Sequence, residues 1–252
     1  MNFDEYLYLR KYGITLREGT FVAQGLQKIA IEGPLSVSSP LIIENSSLTL
    51  KNLSLKTLRV SDSQVILEGC SFPEGKDFSY PRLEIVSSEV ALEGVDIEGG
   101  KLGIHVRDSR LTLREVSLTG LWGVGMRVKG KAGVEGDRLS ITQCRLGMEV
   151  RPGARVQLTR PILTENGAGI EVEGAALVLK GPGELTHHQG PAILIEKNGS
   201  LFAEELTFEK NQKIAPQGRS TSWEHLRYIC KRLPFGIAKR KVFMRRIALT
   251  FA

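Results

Sequence analysis

The chain has 252 residues, of which 41% are hydrophobic, 25% charged and 6% aromatic, a composition that supports a sizeable core and excludes a disordered chain. Its 27 glycines and 10 prolines show no period of three, which excludes a collagen-like fibre and indicates many turns. The net charge of +6 is unevenly placed, because residues 213–252 hold ten Lys or Arg against one acid and leave the first 212 slightly acidic.

Taken in chain order, residues 1–26 read as an N-terminal cap. Asn2 to Tyr12 is helix-permissive and sets Phe3, Tyr6 and Leu7 on one face. The opening MNFDEYLYLR carries two acids and no apolar stretch of the export kind, so a cytoplasmic location is expected. No run approaches the ~18 apolar residues of a membrane-spanning helix.

Residues 27–211 are organised by an internal repeat. Gly-(Ile/Met)-x-Val occurs at Gly103 to Val106, Gly125 to Val128, Gly147 to Val150 and Gly169 to Val172, each 22 residues after the last. Between these copies lies a second recurring segment, as in SEVALEGVDI from Ser88 and SRLTLREVSL from Ser109, with SSLTLKNLSL from Ser46 and SQVILEGCSF from Ser63 as weaker, earlier copies. Apolar residues alternate within it, with one extra residue between the pairs, which reads as strand, corner, strand. No helical period interrupts the region, so the strands must stack on themselves, coil on coil, about 4.8 Å apart. The expected fold is all-β: a single-stranded, right-handed parallel β-helix of about eight or nine 22-residue coils with short helical caps at both ends.

On these segments the chain resembles the right-handed parallel β-helix repeat families, the pectate-lyase-like group. The resemblance implies the fold over about residues 27 to 211. That coil serves lyases, hydrolases, epimerases and non-catalytic scaffolds alike. The group's enzymes cluster Asp on outward strand positions. Here Asp62, Asp96, Asp108 and Asp137 are read as lying in different columns, so no catalytic residue carries over.

The x position of the repeat faces outward and forms the column Arg59, Glu84, His105, Arg127, Glu149, Glu171 and Leu194. This column reads as a solvated ladder of weak ion pairs, each contributing about 0 to 1 kcal/mol. Glu149 and Glu171 are adjacent like charges about 5 Å apart, so one should be harder to ionise, as a general acid requires. His187 and His188, in the turn LTHHQG one coil after Glu165 and Asn166, are candidate binding residues. Cys70, Cys144 and Cys230 make neither a metal motif nor a disulfide framework and read as core. No metal and no cofactor is expected.

Residues 212–252 read as a C-terminal cap helix and a basic tail. Thr221-x-x-Glu224 is a capping-box pattern, with Trp223, Leu226, Cys230 and Leu233 following at helical spacing before Pro234. From residue 235 the tail, drawn as a helix, sets Phe243, Ile247 and Phe251 on a stripe flanked by Lys239, Arg240, Lys241, Arg245 and Arg246. Such a segment suits an acidic protein, a nucleic acid or an anionic membrane surface, and its removal is expected to leave the coils folded. The function expected is a non-catalytic cytoplasmic scaffold or binding module. The alternative is a carbohydrate-active enzyme, acting on a polysaccharide near Glu149 and Glu171.

Overall fold

In the computed structural model, which describes residues 3–75, 80–211 and the backbone of 242–250, the chain winds into a β-solenoid of about eight turns of roughly 22 residues. The coils build a ten-stranded sheet and a 13-stranded sheet. Successive coils pair in parallel, as Leu102–Arg107 does with Val124–Lys129 and Arg110–Thr119 with Gly133–Thr142. The exceptions lie at the ends. Thr15–Arg17 runs antiparallel to Thr20–Gln24, and Val242–Thr250 runs antiparallel to Ser200–Glu209.

The Gly-(Ile/Met)-x-Val segment is the strand of the first sheet. Val106, Val128, Val150 and Val172 lie in register and are fully buried, and the column extends back through Ile85 and Val60 to Ile43. The motif's glycine is fixed by sterics. A Cβ on Gly103, Gly125, Gly147 or Gly169 would stand 2.5, 2.5, 2.7 or 2.1 Å from a carbonyl oxygen of the next coil.

The second segment is a long strand bent in the middle, so its halves form two more faces and each coil is three-sided. The burial of Arg110–Thr119 alternates, breaks at the exposed pair Arg114 and Glu115, then resumes. Each corner needs a left-handed residue, and one coil shows all three at Asp108 (φ 51°), Glu115 (φ 54°) and Gly120 (φ 67°). The coil containing Pro73 is longer than the rest. There Arg82 is fully buried and donates to the carbonyl oxygens of Pro73 (2.7 Å) and Glu98 (3.2 Å).

The N-terminal helix, Phe3–Arg10, does cap the first coils, but by a different face from the one expected. Glu5 and Leu9 are its buried residues, whereas Phe3 and Leu7 are exposed. The reason is a backbone need: the Glu5 carboxylate accepts hydrogen bonds from the Ser38 N–H (2.9 Å) and hydroxyl (2.8 Å). The capping-box segment Thr221 to Leu233 lies outside the described residues.

The tail differs from the helix drawn for it. Val242–Thr250 is a strand, placing Arg246 opposite Glu204 and Ile247 opposite Ala203 in backbone register. An open strand edge at the end of the stack favours this pairing over an isolated helix. Residues 242–250 of the tail are therefore part of the sheet.

Candidate functional site

The outward column of the first sheet has the register read from the sequence, with Arg59 beside Glu84, then His105, Arg127, Glu149, Glu171 and Leu194. It is not a solvated ladder, however. Glu149 is only 6% exposed, because the long side chains of Arg127 and Arg151 close over it. Arg151 is the hub: it pairs with Glu149 and Glu173 and stands 3.6 Å from Glu171, while Lys197 adds a 2.8 Å contact to Glu173.

This arrangement separates the two carboxylates. Burial opposes the charge on Glu149, but hydrogen bonds from Arg127 and Arg151 prevail and hold its carboxyl below the usual range. Burial raises Glu171, with the charge of Glu149 adding to the effect against the pull of Arg151. The His105 side chain is largely enclosed, with 12% of it exposed. Burial, reinforced by Lys129, Arg127 and Arg107, lowers its imidazole although Glu84 lies 3.5 Å from its Nδ1.

His187 and His188 sit at the corner position of Glu165 and Asn166, one coil on, and they part company there. His187 occupies the left-handed corner (φ 58°) and is exposed. His188 is 2% exposed and belongs to an internal polar ladder. Asn166 accepts from the Cys144 N–H (2.8 Å), His188 Nδ1 accepts from the Asn166 N–H (3.3 Å), and Asn211 accepts from the His188 N–H (3.1 Å). Burial lowers the His188 imidazole to about 4. Cys144, at the head of this ladder, has its thiol raised by burial to about 11, and Cys70 is likewise buried.

Of the basic tail residues, Arg245 and Arg246 fall on the strand Val242–Thr250, and Lys239, Arg240 and Lys241 lie outside the described residues. Among the described residues no group of three His, Cys, Asp or Glu is placed to hold a metal ion.

A groove of about 880 Å³ follows a different edge, the corner after the first sheet, and sequence reasoning passed over it. Its floor is a serine ladder. The N–H of Ser46, Ser63 and Ser88 donates to the hydroxyl of Ser63, Ser88 and Ser109 in turn, at 3.0, 3.1 and 3.0 Å. One wall is the left-handed column Asn45, Asp62, Ser87 and Asp108. Asp62 and Asp108 thus share a column two coils apart, which corrects their reading as unrelated positions. The recurring pair of a turn-former followed by Ser, at Asn45-Ser46, Asp62-Ser63, Ser87-Ser88 and Asp108-Ser109, was the available signal. It was hidden because these early coils do not keep the 22-residue period.

No protein-family model matches the chain, and no curated protein matches it by sequence. Among solved structures it is similar to the periplasmic alginate epimerase AlgG, with 10% identity over 81% of this chain and 69% of that one, at a TM-score of 0.31. It is also similar to an exopolygalacturonase from Thermotoga maritima (10% identity, 83% of this chain and 56% of that one, TM-score 0.21). A third likeness is to HetL, a pentapeptide repeat protein from Nostoc (13% identity, 78% and 94%, TM-score 0.20). At these identities and TM-scores the likeness is one of fold alone, and the solenoid itself rests on the strand register described above.

Proposed function

We propose that the chain is a non-catalytic β-helix binding module whose basic C-terminal segment contacts an anionic partner. The observation that carries this reading is the state of Glu149. A general acid must hold a proton and deliver it to substrate, whereas Glu149 is ionised and saturated by two arginines beneath them. Glu171 is raised, but it lies on a strand beside Arg151 and does not line the groove. Cys70 and Cys144 are free thiols, which suits the reducing cytoplasm.

The test has two arms on the full chain. Incubation with polygalacturonate, read by new reducing ends and by ultraviolet absorbance of unsaturated products, should give no turnover; turnover abolished by Glu171→Gln would establish the enzyme instead. Retention on a heparin column should fall when Lys239, Arg240, Lys241, Arg245 and Arg246 are all changed to Gln. Charge substitution is the right perturbation because deletion would also uncover the edge of Ser200–Glu209. Unchanged retention would remove the tail from the proposal.

A further inference from the structure

The coils themselves are electrically segmented. Residues 101–160 contain twelve Lys or Arg against five Asp or Glu, whereas residues 1–100 contain nine against fourteen and residues 161–212 three against eight. A basic belt of three coils therefore lies between two acidic ends. Many of its cations are neutralised, as Arg138 is by Glu115 and Arg160 by Asp137. Among the described residues those that make no ion pair lie at two places, Lys101 and Arg145 before the first sheet, and Arg107, Lys129, Lys131 and Arg155 at the corner after it.

There Arg107 and Lys129 stand on adjacent strands, Lys131 follows in the turn, and Arg110 and Arg155 occupy the same outward column two coils apart across Gly133. Among the described residues Arg107, Lys129, Lys131 and Arg155 make no ion pair, and Arg110 reaches Glu89 at 3.9 Å between two exposed side chains. Asp108 lies among them, its carboxylate engaged by the Lys131 N–H at 2.9 Å. Arg107 and Lys129 face each other at a strand spacing of about 5 Å, a repulsion that an anion laid across them would relieve. Between the two arms Gly133 leaves open space, since a Cβ there would meet nothing within 4 Å, while the Asp108 carboxylate covers Gly130. One ligand can therefore touch both arms.

We infer that this corner, from Arg107 to Arg155, binds the phosphate backbone of a nucleic-acid duplex. Charge complementarity supplies the attraction, since a duplex carries a negative charge about every 1.7 Å of its axis. The choice of a duplex follows from what the corner lacks. No aromatic residue is exposed there and Pro152 is its exposed apolar side chain, so it offers no stacking platform for a single strand and no large anchor for a lipid interface. The acidic coils on either side repel a polyanion lying along the solenoid, so the duplex crosses it and the contact is short and sequence-independent. The inference shares the binding-module reading but does not depend on the tail.

The experiment is fluorescence anisotropy of a labelled 20-base-pair duplex with the full chain across a salt series. Three proteins are compared: wild type, the belt variant Arg107→Gln/Lys129→Gln/Lys131→Gln, and the tail variant with its five basic residues changed to Gln. Arg114→Gln, removing a cation paired with Glu93 at another corner, is the control. Three lost phosphate contacts should make the slope of log affinity against log salt shallower by about 3 in the belt variant. The tail variant should keep the belt's contribution, and Arg114→Gln should behave as wild type. Circular dichroism should be unchanged in the belt variant. An unaltered slope in the belt variant overturns the inference, as does complete loss of binding in the tail variant, which leaves the tail reading intact. Equal affinity for polygalacturonate or phosphatidylserine vesicles overturns the choice of a duplex.

Discussion

His188 gives the fold an acid-sensitive point whose size can be worked out. It occupies the internal corner position held by Asn166 one coil before and Asn211 one coil after, and its Nδ1 accepts the Asn166 N–H only while that nitrogen is unprotonated. Its Nε2 is buried with no partner among the described residues, close against Gly169, where a Cβ would approach it to 2.9 Å. Burial is the main cause of its low pKa, and the neighbouring His187 adds to it. The value falls from 6.5 in a free imidazole to about 4 in the folded chain. At ~1.4 kcal/mol per pH unit this difference corresponds to roughly 3 kcal/mol. The folded pKa is depressed, so the unfolded chain binds the proton first. Stability is full above about pH 6.5, declines as the pH falls through that value, and has lost the whole amount near pH 4. Urea unfolding followed by circular dichroism at pH 7, 5.5 and 4 should show this loss in wild type. His188→Asn should remove about 3 kcal/mol of it, because Asn is the residue that the neighbouring coils already use. Equal acid sensitivity in wild type and His188→Asn would refute the assignment of the effect to this side chain.

Two further outcomes follow from the first sheet. Val150→Ala should lower stability by about 2 kcal/mol in denaturant titrations, because stacked coils cannot close over two missing methyl groups. Glu149→Ala, which a solvated ladder would tolerate, should also cost about 2 kcal/mol, since it strands Arg127 and Arg151 over an empty site. That figure lies below the usual range for a buried pair because both arginines are about one-third exposed. Guanidine midpoints would separate the two cases, a silent Glu149→Ala returning the column to the weak ion pairs of an open surface.

The fold was legible because a solenoid writes its geometry into the sequence at a fixed interval. Once Gly103, Gly125, Gly147 and Gly169 are aligned, the columns of Val150 and Glu149 follow without further information. What the alignment lacks is the lateral direction. Arg151 lies two residues beyond Glu149, outside its column, and its side chain folds back over Glu149, Glu171 and Glu173. A column-by-column reading has no means of seeing that bend, so it left Glu149 in solvent. His188 shows the same limit in reverse. Its neighbours Asn166 and Asn211 are ordinary turn residues by type, and only the inward aim of the corner turns them into a buried ladder. The serine ladder escaped for another reason. Its rungs at Ser46, Ser63, Ser88 and Ser109 are 17, 25 and 21 residues apart, so a search at a strict period of 22 passes between them.

The ends of the solenoid explain why the tail must be both structural and basic. A stack of parallel strands can be extended by any strand running in the same direction, including one from a second copy of the chain. Both sheets meet this hazard with reversal. Thr15–Arg17 runs against the first strand of the first sheet, and Val242–Thr250 runs against the last long strand of the second. At the opening of the second sheet, Ile29–Val37 contains Pro34, which has no N–H to offer. An antiparallel closing strand ends the parallel register, because the next coil would have to follow its direction and lose the column match that buries Leu177 and Leu201. Charge on such a strand has a second effect, since cations at an edge discourage another edge from docking there. Arg245 and Arg246 on Val242–Thr250 therefore serve the closure of the fold, and the contact proposed with an anionic partner draws on the same two residues. Replacing the charges while keeping the strand is the perturbation that separates the strand's pairing from the effects of its charge.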